Sequence, residues 1–138
     1  MTMQLELVVP EGEIWAGAVQ RVIAKTLEGD IGVLTGHTPV LGILAPGSVV
    51  RVLPDGDEAA AGGEVVVAVS EGFLSVAGDR VSILARHAQL GSQVDRAAAQ
   101  AALDSALEAA AAQSAGGGEE PAEVRYARAV LRAAGDRS

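Results

Sequence analysis

Turn-forming residues punctuate the first two-thirds of this chain and then give way to alanine, and no other feature limits its fold so tightly. The clusters are Pro10-Glu11-Gly12, Glu28-Gly29-Asp30, Gly36-His37, Pro46-Gly47, Pro54-Asp55-Gly56-Asp57, Gly62-Gly63, Glu71-Gly72 and Gly78-Asp79. Between them lie short apolar runs. A spacing of roughly 8–12 residues between such signals marks an all-β sandwich or barrel. Leu5, Leu7 and Val9 alternate with Gln4, Glu6 and Val8, as do Val81, Ile83 and Ala85 with Arg80, Ser82 and Leu84. That is the period of a strand with one buried face. Residues 65–69 are apolar throughout, which predicts a central strand covered on both sides. Residues 1–88 therefore read as a β-sandwich of about ten strands.

Residues 89–138 read as a separate helical unit. Ser92 followed by Asp95 approaches a capping box. A helix is predicted over residues 94–113, ended by the Gly-rich stretch 114–118. Pro121 suits the first turn of a second helix over residues 122–134, with Glu119 and Glu120 placed where acid favours the helix dipole. A short Gly-rich loop between two helices makes an antiparallel hairpin. The hairpin's large apolar residues are few: Val94, Leu103, Leu107, Val124, Val130 and Leu131. Full burial of each is worth ~1.5–3 kcal/mol as an upper bound. Ordering entropy offsets much of that, so the hairpin is expected to dock loosely.

Composition excludes several classes of function. There is no Cys, and the two histidines, His37 and His87, lie fifty positions apart, so no metal centre is expected. A net charge of −8 disfavours nucleic acid and anionic lipid as partners. Three aromatic residues, Trp15, Phe73 and Tyr126, make no base-stacking platform. The N-terminus has neither a basic region nor an apolar core, and no run reaches the ~18 apolar residues of a membrane span. The chain is expected to be cytosolic, reaching a membrane only through a partner. One Lys against nine Arg, with much Ala, Gly and Val, suggests a G+C-rich bacterial genome. No phosphate-cradling Gly-x-x-x-x-Gly-Lys loop occurs, nor a Gly-x-Ser-x-Gly elbow, so neither route to catalysis is expected.

Residues 26–41 carry the most information about function. Glu28-Gly29-Asp30 forms an acidic turn, residues 31–34 a short strand, and Gly36-His37-Thr38-Pro39 a second turn. Pro39 biases Thr38 toward extended geometry. Two rigid turns at this spacing present an acidic edge and one histidine at an end of the β-domain, which suits docking better than chemistry. The pattern Glu28-Gly-Asp30-Ile-Gly-Val followed by Gly36-His37-x-Pro39-x-Leu41 resembles the epsilon subunit family of the F-type ATP synthase. Val9-x-Pro-Glu-x-x-Ile14-Trp15-x-Gly17, residues 71–76 and residues 79–85 extend the resemblance in the family's order over about residues 3–99.

The resemblance implies a non-catalytic rotor subunit of a bacterial ATP synthase. Such a subunit binds gamma and the c-ring beneath the alpha/beta catalytic hexamer, peripheral to the cytoplasmic face of the plasma membrane. It links proton translocation to ATP synthesis, and its helical tail restrains ATP hydrolysis. Glu28, Asp30 and His37 then become c-ring or gamma contacts, against the plainer reading of solvated turn residues. Arg125, Arg128 and Arg132, at i, i+3 and i+7, share one helical face. The resemblance implies that this face meets acidic segments of the catalytic subunits; otherwise it is an ordinary solvated face.

Two rivals remain. Some family members bind ATP through Ile/Leu-Asp-x-x-Arg-Ala at the start of the first tail helix. Here Val94-Asp95-Arg96-Ala97-Ala98-Ala99 keeps the apolar residue, the Asp and the last Ala, but Ala98 stands at the Arg position. Arg96 lies about 200° around the helix from position 98 and cannot substitute. Val94 and Asp95 are thus a weak candidate nucleotide site, with Asp95 as a simple cap the plainer reading, and no cofactor is expected. The alternative function is an ATP-sensing module whose hairpin closes on nucleotide. The other rival is a free-standing enzyme using Asp30 and His37, which requires one concave pocket joining them.

Overall fold

A computed structural model of the chain describes residues 2–55, 63–113 and 120–135. The turns expected at Gly56-Asp57 and Gly62 and the Gly-rich stretch 114–118 lie outside the described residues. The expected sandwich and helix pair are both present, with nine strands among the described residues where about ten were expected. They are β1 (Met3–Val9), β2 (Gly12–Thr26), β3 (Gly29–Leu34), β4 (Val40–Ile43), β5 (Ser48–Pro54), β6 (Val65–Val69), β7 (Gly72–Ala77), β8 (Arg80–Ala85) and β9 (Ala88–Leu90). A 3₁₀ turn at Gly91–Gln93 leads to α1 (Arg96–Gln113) and α2 (Ala122–Ala133).

The strands form one hydrogen-bonded sheet in the order β4-β7-β8-β1-β2-β5-β6-β9, with β3 pairing β2 off that path. The long β2 pairs β1 through its first half and β3 and β5 through its second. A register shift between Val19 and Arg21 lets it bend, since an extra residue sharpens the local twist. The sheet thereby folds over on itself. Met3, Leu5, Leu7, Leu74, Val76, Val81 and Ile83 pack with Val22, Val50, Val52, Val67 and Val69 in one buried core.

The continuous apolar run in β6 has a specific cause. Val67 and Val69 face the sandwich core, while Val66 and Ala68 belong to a second core beneath α2. One strand therefore serves two interiors, so alternation disappears. β9 pairs with β6 through Val67↔Leu90 and Val69↔Ala88. The sheet thus runs to Leu90, two residues beyond the expected boundary at 88. The guanidinium of Arg96, at the start of α1, donates to the carbonyl of Ala134, just past the end of α2, at 2.7 Å. The helices are therefore antiparallel, as expected.

Candidate docking surfaces

The acidic turn is a tight hairpin between β2 and β3. The Thr26 hydroxyl donates to the Gly29 carbonyl at 2.8 Å and accepts the Glu28 amide at 3.1 Å. Gly29 has φ +121, which a side chain would rarely tolerate. Glu28 and Asp30 are both exposed. They share a hollow of about 400 Å³ with Leu27, Val40, Leu41 and Ile43.

An apolar row starts at this hollow. Ile43 pairs with Phe73 across β4–β7, Phe73 with Leu84 across β7–β8, and Leu84 with Val8 across β8–β1. Partners directly opposite in a ladder point to the same face. Because Leu44, Leu74 and Ile83 are fully buried, their neighbours Ile43, Phe73 and Leu84 turn outward, 59%, 49% and 46% exposed. Leu41, two residues before Ile43, is 75% exposed on the same side. Large apolar side chains in contiguous rows on a surface mark an interaction site, whereas scattered ones do not. The row was missed in the sequence, although apolar residues at consecutive positions (Leu41 to Leu44, Phe73-Leu74, Ile83-Leu84) are the trace of strands apolar on both faces.

His37 is not part of this cluster. It follows β3, whereas Glu28 precedes it, and six strand residues at ~3.3 Å each put about 20 Å between the two turns. The expected pairing of an acidic edge with a histidine at one end is therefore not formed. The Gly36 amide donates to the Asp79 carboxylate at 2.8 Å, tying the second turn to the β7–β8 turn. His37 Nδ1 lies 2.6 Å from the Thr38 carbonyl, which can only accept, so Nδ1 is the donor. None of the clefts lined by the described residues joins Asp30 to His37, and β3 separates the two turns, so these residues do not form the acid–base pair that a free-standing enzyme would need.

In the tail, α2 presses Val124, Ala127, Ala129, Val130, Leu131 and Ala133 into the second core. Two glycines permit this approach: a Cβ on Gly91 would sit 2.0 Å from the Ala133 carbonyl oxygen, and one on Gly47 2.5 Å from Arg125 backbone. The expected arginine face is partly engaged in the docked form. Arg132 donates to the Gly47 carbonyl at 3.2 Å, Arg128 pairs with Glu120 at 3.0 Å, and Arg125 lines the same cleft as Arg132. The Arg128 pair is half exposed, and such pairs contribute only ~0–1 kcal/mol. Tyr126 stacks at a tilt against His87, with ring centres 6.2 Å apart. Burial pushes its phenol above the usual 10.0, partly offset by a hydrogen bond with Gln89.

Between α1 and α2 lies a cleft of about 500 Å³, floored by Ala98, Ala102 and Val130 and edged by Asp95, Glu123 and Tyr126. Asp95 Oδ1 accepts the amides of Ala97 and Ala98 at 3.0 and 3.2 Å, so Asp95 itself is the cap, and α1 starts at Arg96 rather than 94. Ser92 instead lies in the 3₁₀ turn. Arg96 is occupied at Ala134, and no Lys or Arg lines the cleft among the described residues. A triphosphate would face two carboxylates without counter-charge, so Val94, Asp95 and their surroundings do not fit a nucleotide. No helix is long and apolar enough to cross a membrane among the described residues, and no group of three or more His, Asp or Glu that could hold a metal occurs there.

Comparison with known proteins gives consistent results. The family described as ATP synthase, Delta/Epsilon chain, beta-sandwich domain matches residues 2–91. The ATP synthase epsilon chain of Thermobifida fusca is 53% identical over 131 residues, covering 94% of this chain and 90% of the relative. That of Frankia casuarinae is 47% identical over 90 residues, which are 65% of this chain but 99% of the relative. Among solved structures, a chain of the Euglena gracilis mitochondrial ATP synthase OSCP/F1/c-ring assembly superposes with a TM-score of 0.66. It shares 24% identity over 98% of this chain and 78% of its own length, a likeness of fold.

Proposed function

The chain belongs to the ATP synthase epsilon-chain family, and from that membership we propose a mechanical role: a non-catalytic rotor subunit that joins gamma to the c-ring. A single observation carries this reading. The exposed acidic turn at Glu28 and Asp30 adjoins the apolar row of Leu41, Ile43, Phe73 and Leu84 on one sheet face. An apolar row gives a stable grip on a coiled-coil shaft, and the carboxylates beside it steer and orient a cationic loop of the ring more than they add affinity. His37, on the far side of β3, serves as a separate contact. The assembly in which the Euglena chain was solved contains F1 and a c-ring, which supports partners of this kind. The location that follows is the cytoplasmic face of the plasma membrane, reached through the complex. The tail, with Arg125, Arg128 and Arg132, restrains ATP hydrolysis by leaving the β-domain and reaching the alpha/beta hexamer.

Co-purification with a gamma subunit tests the grip. Ile43→Glu combined with Phe73→Glu places two charges in the exposed row without touching the core. The doubly substituted chain should keep its fold by circular dichroism and lose gamma. Undiminished capture of gamma by that variant would refute the assignment of this face.

A further inference from the structure

Asp79 is the one non-glycine residue with a positive φ among the described residues, at 58. It follows Gly78, whose φ is 55, in the connection between β7 and β8, where Ala77 pairs with Arg80. Positive φ at both central residues makes this a type I′ hairpin turn, and glycine is the usual occupant of its second central position. An aspartate there bears a steric cost that glycine avoids, although Asp tolerates the left-handed region better than most residues. Such a residue persists where its surroundings hold it, and it points to a task for the side chain.

That task lies across the loop cluster. The Asp79 carboxylate accepts the Gly36 amide at 2.8 Å, from 43 positions away, in a charge-assisted hydrogen bond. Gly36 belongs to the turn after β3, which the His37 amide closes by donating to the Leu34 carbonyl at 3.0 Å. Gly36 has φ +86 and Thr35 before it has no positive φ, so the turn is type II. Types I and II differ by rotation of the peptide unit between their two central residues, here 35 and 36. The rotation reverses the direction of the Gly36 N–H, so a fixed acceptor opposite that N–H selects one turn type. The Asp79 carbonyl in turn accepts the Gln4 amide at 2.9 Å, which anchors the acceptor to β1. The selected turn leads directly into the half-buried His37, whose Nδ1 donates to the Thr38 carbonyl.

We propose that Asp79 is a positioning residue for docking: its carboxylate locks the Gly36 turn in one form and thereby presents His37 to gamma in a preset orientation. The proposal rests on the reading of His37 as a contact. A contact ordered before the encounter binds more tightly than one that must be ordered by it.

Three substitutions in the full-length chain test this through two readouts. Asp79→Gly removes the carboxylate and suits the positive φ, while the Gln4 bond, made to backbone, survives. Asp79→Asn keeps an acceptor oxygen and tolerates the same backbone. His37→Ala removes the contact itself. Exchange of the Gly36 amide proton, followed by NMR, needs no partner. It should be slow in the wild type and in Asp79→Asn, and roughly tenfold faster in Asp79→Gly, the loss expected for one such bond. Affinity for purified gamma should fall roughly tenfold in Asp79→Gly, a coupling usual within one hydrogen-bond network, and hold in Asp79→Asn. The melting temperature of Asp79→Gly should not fall. In a chain already carrying His37→Ala, Asp79→Gly should weaken gamma binding no further. Unchanged Gly36 exchange in Asp79→Gly would overturn the proposal. So would unchanged affinity for gamma, or an equal loss with and without His37. A wild type that binds no gamma, while Gly36 exchange still responds to Asp79→Gly, would refute the rotor reading and leave the carboxylate's hold on the turn established.

Discussion

Gly91 shows how one absent methyl group can decide where a helix sits. Its φ is not in the left-handed range, so the backbone there would accept any residue. What excludes a side chain is space, since a Cβ would lie 2.0 Å from the Ala133 carbonyl oxygen and 3.1 Å from that of Val66. Both are backbone atoms and neither can swing aside. Gly91→Ala should therefore lift the C-terminal end of α2 off β6, at about 1–3 kcal/mol, the usual cost of forced overpacking. Limited proteolysis checks this: the tail should be cut faster while residues 1–90 persist. Tail cleavage at the wild-type rate would show that the helix accommodates the methyl. Nothing in the local sequence marks this role. Gly91 reads as a linker glycine because its partner lies more than forty positions away, and close approach between distant segments leaves no periodic trace. The same blindness applies to Gly47 and to the Arg132 contact it receives. By contrast, Leu5, Leu7, Val81 and Ile83 were legible as core because period-2 alternation is a local signal, and all four are buried.

At the scale of elements, the two tail helices differ. α2 buries six residues, whereas among the described side chains of α1 only Ala99 and Leu103 are buried and Leu107 is 38% exposed. Local stability follows buried apolar contact, so amide exchange should be slowest in the sandwich strands, faster in α2 and fastest in α1. Tyr126 gives a second readout of the same hierarchy, clean because it is the chain's one tyrosine. Its phenol is raised above 10.0 by burial while α2 is docked. The folded chain then keeps the proton at a pH where the unfolded chain has released it. The contribution to stability is whole below pH 10.0 and is lost as pH rises through the folded value. Absorbance titration of the phenolate should give a midpoint above 10.0 in the full chain and one near 10.0 once Gly91→Ala has loosened the helix. An ordinary midpoint in the wild type would mean that α2 spends most of its time undocked. Alanine content, the cap residues and the Gly and Pro breaks mark two helices after residue 90, but not that the second is the anchored one. That distinction comes from which residues meet Ala68 and Val66 across the seam. The first eight strands are legible because turn residues bracket them, whereas β9 is not, because three residues are too few to show a period.

The whole molecule is two cores that share one strand, and this makes its parts separable. No residue of α1 or α2 belongs to the sandwich core, and β6 contributes Val67 and Val69 to it independently of the tail. A chain ending at Gly91 keeps every strand through Leu90 and newly exposes only Val49, Val66, Ala68 and their neighbours on one face. The truncated protein should therefore fold, and under the proposed brake it should assemble with the complex and raise the rate of ATP hydrolysis. Exchanging Arg125, Arg128 and Arg132 for Glu should raise hydrolysis in the same direction but less, since the tail still fills space. That effect should shrink as salt rises, because exposed charges are screened beyond ~8 Å at physiological ionic strength. A steric brake and an electrostatic one are thus distinguishable: the truncation effect persists in high salt, whereas the charge-reversal effect fades. Equal hydrolysis with and without the tail, in complexes shown to contain the β-domain, would leave the helices as a stabilising cover over β6 and remove the brake from the mechanism.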